Sequence, residues 1–143
     1  MHPYRESDVP AQTGKTILVT GANTGLGYHT ARVLAQRGAR VLLGCRSEQK
    51  AEKAIKEIKS IKSDANVTWV PLDLASLKSI KEAATIVDQE QRLDALINNA
   101  AVMAPPTLVE TQDGFELQFG VNHLGHFALT GHLLSKIKDQ PGA

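Results

Sequence analysis

Eight residues constrain this chain more than any others: Thr20-Gly21-Ala22-Asn23-Thr24-Gly25-Leu26-Gly27. An apolar run, Thr16-Ile17-Leu18-Val19, precedes them, and a helical pattern over residues 26–36 follows. A buried strand, a glycine turn and a helix start form an arrangement that binds a dinucleotide pyrophosphate. The free N–H groups of the first helical turn, with the helix dipole, meet the negative charge there. Gly21 lets the chain turn sharply off the strand, Gly25 keeps side-chain bulk away from phosphate, and Gly27 lets the helix pack closely on the sheet. The spacing is G-x-x-x-G-x-G rather than G-x-G-x-x-G, so a bare strand-to-helix turn without a ligand stays open at this point.

The rest of the chain repeats the strand-then-helix theme. Residues 16–20, 40–45, 66–71 and 93–98 are nearly continuous apolar runs, as strands buried on both faces require. Amphipathic helices lie between them. The second has Ala51, Ala54, Ile55, Ile58 and Ile61 on one face, with Ser47 placed to cap its start. The third starts at Ser76 and buries Leu77, Ile80, Ala84 and Val87. A fourth is predicted from near Asp113 to near Lys138, with Asp113 and Glu116 at capping-box spacing and a face of Leu117, Val121, Leu124 and Ala128. This alternation predicts an α/β fold, a doubly wound parallel sheet with right-handed crossovers and helices on both faces. Residues 1–14 carry no periodic pattern and read as a loose N-terminal arm; residues 15–143 read as one domain.

Composition excludes several classes. The formal net charge is +1, so there is no electrostatic case for nucleic acid or an acidic membrane surface. No run of 18 apolar residues exists, so no membrane-spanning helix is expected, and the polar first fifteen residues contain no signal core. A soluble, cytoplasmic protein is the expectation. The single cysteine, Cys45, sits in an apolar strand pattern and reads as a small core residue; a reactive thiol is the other reading. His123, His126 and His132 lack a carboxylate to complete a metal set, so they read as polar helix positions and no metal is expected. No Gly-x-Ser-x-Gly supports hydrolysis.

Three further places carry chemistry. The second strand ends at Cys45-Arg46-Ser47. An NAD site would offer Asp or Glu there for the ribose hydroxyls. The guanidinium of Arg46 suits a 2′-phosphate instead and favours NADP(H) over NAD(H); a solvent-facing arginine is the alternative. Asp73 follows the third strand, where its carboxylate could accept a hydrogen bond from an adenine amino group or serve as an acid at a helix N-terminus. Asn98-Asn99-Ala100-Ala101 ends the fourth strand. Its asparagines suit tying down backbone beside a ligand, and its alanines leave room for a ribose; an ordinary turn is the alternative.

With these motifs in order, the chain resembles the N-terminal half of a short-chain dehydrogenase/reductase over residues 15–140. The matching parts are residues 20–27, Arg46, Asp73-Leu74, residues 98–101 and Val121-Asn122-His123-Leu124-Gly125-His126-Phe127. The last run, with Gly44-Cys45-Arg46, resembles the group of retinol dehydrogenases, protochlorophyllide reductases and WW-domain oxidoreductases, which generally uses NADP(H). Ala101 departs from the glycine most members have. The resemblance implies a Rossmann-like three-layer fold with strand order 3-2-1-4. It implies that Gly21, Asn23, Thr24, Gly25, Leu26 and Gly27 cradle pyrophosphate and ribose, that Arg46 reads the 2′-phosphate, and that Asp73 and Leu74 flank adenine. Asn99, Ala100 and Ala101 fall on the ribose side. Asn122 matches the family's catalytic asparagine, which interrupts its helix's hydrogen bonding and helps hold a water leading to a catalytic lysine.

The resemblance also implies NADP-dependent oxidation and reduction of alcohols and carbonyls through a serine and a Tyr-x-x-x-Lys pair. Neither Tyr4 nor Tyr28 begins such a pair. The chain is therefore expected to be the cofactor-binding half, truncated before a fifth strand and inactive alone. A non-catalytic nucleotide-binding module and an inactive truncated fragment are the alternatives. The helix over residues 113–138 resembles the family's dimer-forming helix, which implies self-association, as a homodimer, or aggregation.

Overall fold

The computed structural model describes residues 3–138. Its centre is the first two apolar runs. β1 (Thr16–Thr20) is buried at every residue, and β2 (Arg40–Cys45) at all but its first. β3 (Val67–Pro71) pairs with β2, and β4 (Ala95–Ile97) pairs with the other side of β1. All pairings are parallel, and the strand order is β3-β2-β1-β4.

Side chains alternate across β1, and each set meets its own helix layer. Ile17 and Val19 pack with Val41 and Leu43 of β2 against Ala31 and Ala35 of α1 (Gly25–Gln36) and Ala54 and Ile58 of α2 (Glu48–Ile61). Leu18 and Leu42 face the other way, toward Ile80, Ala83 and Val87 of α3 (Leu77–Asp88) and toward Leu129 and Leu133. The result is the parallel sheet covered by helices on both faces that the alternation predicts, in the Rossmann-like strand order that the resemblance implies.

Burial on both faces holds for β1 and β2 only. In β3, Val67 and Val70 are buried while Thr68 and Pro71 are exposed, and all three residues of β4 are half-buried. These strands lie at the margins of the described sheet, beyond the centre of the helix layers. β4 is also shorter than the apolar run over 93–98. Leu93 is fully buried, but the Asp94 carboxylate takes the Thr16 N–H at 2.8 Å, so regular pairing begins one residue later.

Ser47 caps α2 as expected, accepting from the N–H of Lys50, and Ser76, where the third helix is expected to start, caps α3 by accepting from the N–H of Ser79. Ile61 and Leu77, placed on apolar faces by periodicity, are exposed at these helix ends. Residues 3–14, which carry no periodic pattern, contain a 3-10 turn at Glu6–Asp8. Glu6 joins it to α1 through Arg32 at 2.5 Å and Arg37 at 2.7 Å.

The fourth helical segment corrects the sequence reading. Residues 111–116 form a turn, with Gly114 at φ +81° and an antiparallel bridge between Glu110 and Glu116. Helix begins at α4 (Leu117–Phe119), and its cap is Glu116, whose carboxylate accepts from Gln118 at 2.9 Å and Phe119 at 2.8 Å. A π-helical turn, Gly120–Gly125, follows and leads into α5 (His126–Lys138). Asp113 caps a different helix: its carboxylate accepts from Leu77 N–H at 2.8 Å, at the start of α3. Asp113→Ala is therefore expected to cost about 1 kcal/mol of stability, the usual worth of a lost cap. Urea unfolding of the two proteins measures this, and an unchanged midpoint would mean that water serves the Leu77 N–H equally well.

Candidate functional site

The site is built where β1 ends. Gly21 takes φ +65°, and its N–H donates to Gly44 O of β2 at 2.8 Å. That conformation suits glycine, and a Cβ there would meet Ala100 at 3.0 Å. Gly25, at φ +56°, opens α1 and has nothing within 4 Å of where a Cβ would stand. Thr24 precedes the helix and makes no side-chain cap. The first turn of α1 thus presents its N–H groups without a side-chain cap, beside a glycine that leaves space above them. Gly27 is the opposite case: a Cβ would lie 2.4 Å from both Gly21 O and Asn99 Nδ2.

Thr20 wires this turn to the end of β4. Its hydroxyl accepts the N–H groups of Asn99 and Ala100, each at 2.9 Å, and its carbonyl accepts Asn99 Nδ2 at 2.8 Å. Asn98 instead reaches Thr130 Oγ1 at 3.3 Å. Asn122 holds the next stretch of chain. Its Oδ1 accepts Val102 N–H and its Nδ2 donates to Val102 O, both at 2.8 Å. Asn122 lies inside the π-helical turn, where helical hydrogen bonding is irregular. Close approach allows that turn, because a Cβ on Gly125 would meet Leu74 O at 2.5 Å and one on Gly120 would meet Thr111 Cγ2 at 2.4 Å.

At the β3 end, Asp73 Oδ1 accepts Ala75 N–H at 3.0 Å and its own N–H donates to Ser79 Oγ at 2.9 Å. Its carboxylate therefore both shapes the entry to α3 and faces the cleft. Arg46 is exposed and makes no hydrogen bond or ion pair with any described residue.

These strand ends enclose one cleft of about 580 Å³. Gly21, Asn23, Thr24, Leu26, Arg46, Asp73, Leu74, Asn99, Ala100 and Ala101 all line it. Gly27 lies beneath the turn, and Gly25 lines a neighbouring hollow with Tyr28, Lys50, Lys53 and Glu57. Asn122 does not line the cleft; it acts on the backbone that does. Sequence reading missed Gly44, Leu72, Val102, Leu117 and Val121, which form much of the remaining wall. For Gly44 and Leu72 a signal was available, since both stand at the same sheet edge as the motifs. The cleft fits a dinucleotide by its own construction: small residues where backbone must come close, an uncapped helix start, apolar walls and, at one end, a guanidinium without a partner among the described residues.

The other reactive groups are settled by their surroundings. Cys45 is buried, and burial pushes its thiol up to about 11, which leaves it protonated and inert at neutral pH. Tyr28 titrates above its ordinary value because of burial and its bond to Glu57. Among the described residues no group of acids, cysteines and histidines is arranged to hold a metal. His123 and His132 are exposed, as polar helix positions should be, but His126 is buried, with 7% of its surface accessible. Among the described residues no helix is long and apolar enough to cross a membrane.

A profile of the short chain dehydrogenases matches residues 15–143. The chain belongs to the short chain dehydrogenase family. Human retinol dehydrogenase 13 is 56% identical over 126 residues, a match covering 87% of this chain and 38% of that protein. A Mycobacterium paratuberculosis protein of known crystal structure superposes with a TM-score of 0.82 at 43% identity, covering 93% of this chain and 46% of the other. An Escherichia coli CFT073 protein solved in complex with NADPH superposes at 0.73 with 28% identity, over 87% and 53% of the two chains. This short chain dehydrogenase thus spans from under two fifths to about half of the length of these relatives.

Proposed function

We propose that this chain is the NADP(H)-binding portion of an oxidoreductase acting on alcohols and carbonyls. The observation that carries the reading is the exposed Arg46, without a partner among the described residues, at the rim of a cleft whose floor is a glycine turn and an uncapped helix start. The Gly21 and Gly25 turn with the first N–H groups of α1 would hold the pyrophosphate. Asn23, Thr24 and Leu26 would border it, Arg46 would pair with the 2′-phosphate, and Asp73 and Leu74 would bracket the adenine. Asn99, Ala100 and Ala101 would face the ribose. When bound, NADP(H) supplies hydride transfer to or from a carbonyl carbon. Asn122 supports this indirectly, by fixing the Val102 backbone at the wall of the cleft.

Titration with NADPH and NADH, followed by nucleotide fluorescence, tests the reading. NADPH is expected to bind at least about tenfold more tightly, the worth of one charge-assisted contact. No binding at millimolar NADPH ends the proposal.

A non-catalytic nucleotide-binding role is the second reading, because the glycine turn and cleft would hold a nucleotide whether or not turnover follows. The two readings share the cleft and differ only in turnover, which an assay with NADP(H) and simple alcohols or aldehydes separates; retinol, after which a relative is named, is one such alcohol. Self-association through residues 113–138 belongs to the same proposal, since Phe119, Phe127 and Leu134 there are exposed.

A further inference from the structure

We propose that His126 is a positioning residue: its neutral ring pins the π-helical turn to the glycine turn and holds the cleft in the form that binds a dinucleotide. The inference rests on the function proposed above.

The ring is caught between two partners that fix its tautomer. Nδ1 stands 3.1 Å from the carbonyl oxygen of Asn122, and Nε2 stands 2.9 Å from Thr20 Oγ1. A carbonyl only accepts, so Nδ1 carries the hydrogen. The Thr20 hydroxyl already accepts two N–H groups, from Asn99 and Ala100, so its own hydrogen goes to Nε2. The chain of donors runs from the β4 end, through Thr20 and the imidazole, to Asn122.

The π-turn is what makes the Asn122 carbonyl available. In an α-helix it would accept the N–H of residue 126, but that N–H turns to His123 O. The side chain of His126 takes the place its own backbone leaves. One ring thereby joins β1, the end of β4 and the π-turn, and Asn122 passes the constraint on to Val102 at the cleft wall.

A proton on Nε2 breaks this chain. It would point at a hydroxyl whose oxygen already accepts twice, and would leave that hydroxyl only Ile97 O, at 3.4 Å. The groups facing the ring, Thr20 from β1, Asn99 and Ala100 after β4, and the Asn122 carbonyl, do not titrate. The titratable neighbours are otherwise engaged: His123 is exposed and stacked between Phe119 and Phe127, and Asp73, at the entry to α3, serves Ala75. Burial lowers the His126 pKa below 6.5, against an opposing contribution from the Asn122 carbonyl. Unfolded protein then binds the proton more readily than folded protein. The contribution of His126 is complete above about pH 6.5 and is lost as pH falls through its folded value.

The test compares the 143-residue chain with His126→Gln and His126→Phe. Gln places a non-titrating acceptor within reach of Thr20; Phe fills the volume and makes neither bond. At pH 7.5, His126→Phe should bind NADPH about tenfold more weakly, while His126→Gln stays within about threefold. As pH falls from 8 through the folded pKa of His126, read from the NMR titration of its ring, the wild-type affinity should fall relative to His126→Gln, a ratio in which the titration of the nucleotide itself cancels. A ratio that stays flat, or a folded His126→Phe that binds like wild type, overturns the proposal. If His126→Phe does not fold, the ratio between wild type and His126→Gln still decides. Nitrogen-detected NMR of the ring gives a readout without ligand. The Nδ1–H tautomer, with Asn99 and Ala100 amide shifts following the titration of His126, supports the pin. The Nε2–H tautomer, or amides that ignore that titration, overturns it. Absence of NADPH binding in wild type would instead defeat the function proposed above, and the spectrum would then judge the pin alone.

Discussion

Gly27→Ala is expected to cost about 3 kcal/mol of stability, in the range of a severe steric insertion into packed structure, and to remove measurable NADPH binding. The added methyl carbon would stand 2.4 Å from Gly21 O and 2.4 Å from Asn99 Nδ2. Neither atom can retreat easily. Gly21 is itself packed so closely that a methyl on it would stand 3.0 Å from Ala100, and its N–H is held by Gly44. Asn99 Nδ2 is held by Thr20 O at 2.8 Å. The clash must push α1 off the sheet or spread the turn, and both movements misplace the N–H groups that would face phosphate. Gly25→Ala is the informative contrast. It meets no atom within 4 Å, but φ is +56°, so its cost is conformational, about 1 kcal/mol. Its methyl would project into open space at the helix start, so NADPH affinity should fall by more than the stability loss explains. Thermal melts and NADPH titrations of both variants check this. A larger stability loss for Gly25→Ala than for Gly27→Ala would contradict the assigned roles.

The contrast shows which parts of this fold a sequence can declare. β1 and β2 were legible because both faces of each are covered, so apolar residues run without a break. The cleft was legible because its parts fall at successive strand ends, and a parallel sheet brings all such ends to one edge. The errors arise where a local pattern was satisfied by a distant partner. Asp113 and Glu116 have capping-box spacing, but Asp113 caps α3, 36 residues earlier in the chain. Asp94 sits in an apolar run, yet its carboxylate replaces a strand bond to Thr16. His126 occupies a helix position that usually faces water, and its burial depends on Thr20, 106 residues away. Spacing within one segment carries no information about such pairs.

Arg46→Asp is expected to weaken NADPH binding at least about 100-fold while changing NADH binding by less than about threefold. One charge-assisted contact to the 2′-phosphate is worth about 1.5–3 kcal/mol, and replacing it with a carboxylate adds repulsion to the loss. NADH has no such phosphate, and the new Asp can accept from the ribose hydroxyls, which offsets whatever stacking the guanidinium provided. Stability should not suffer. Arg46 has no partner among the described residues, and it stands just before α2, whose first turn favours an acid over a base. An unchanged or slightly raised melting temperature therefore accompanies the switch in nucleotide preference, which separates a lost contact from a damaged fold. A preference for NADPH that rests on Arg46 should also narrow as salt is raised, because Arg46 is exposed and its attraction is screened. In Arg46→Asp the same salt should relieve repulsion and strengthen NADPH binding, an opposite slope that follows from the sign of one charge. Equal losses for NADPH and NADH would refute the role given to Arg46, and a preference insensitive to salt would move the discrimination from its charge to the shape of the cleft.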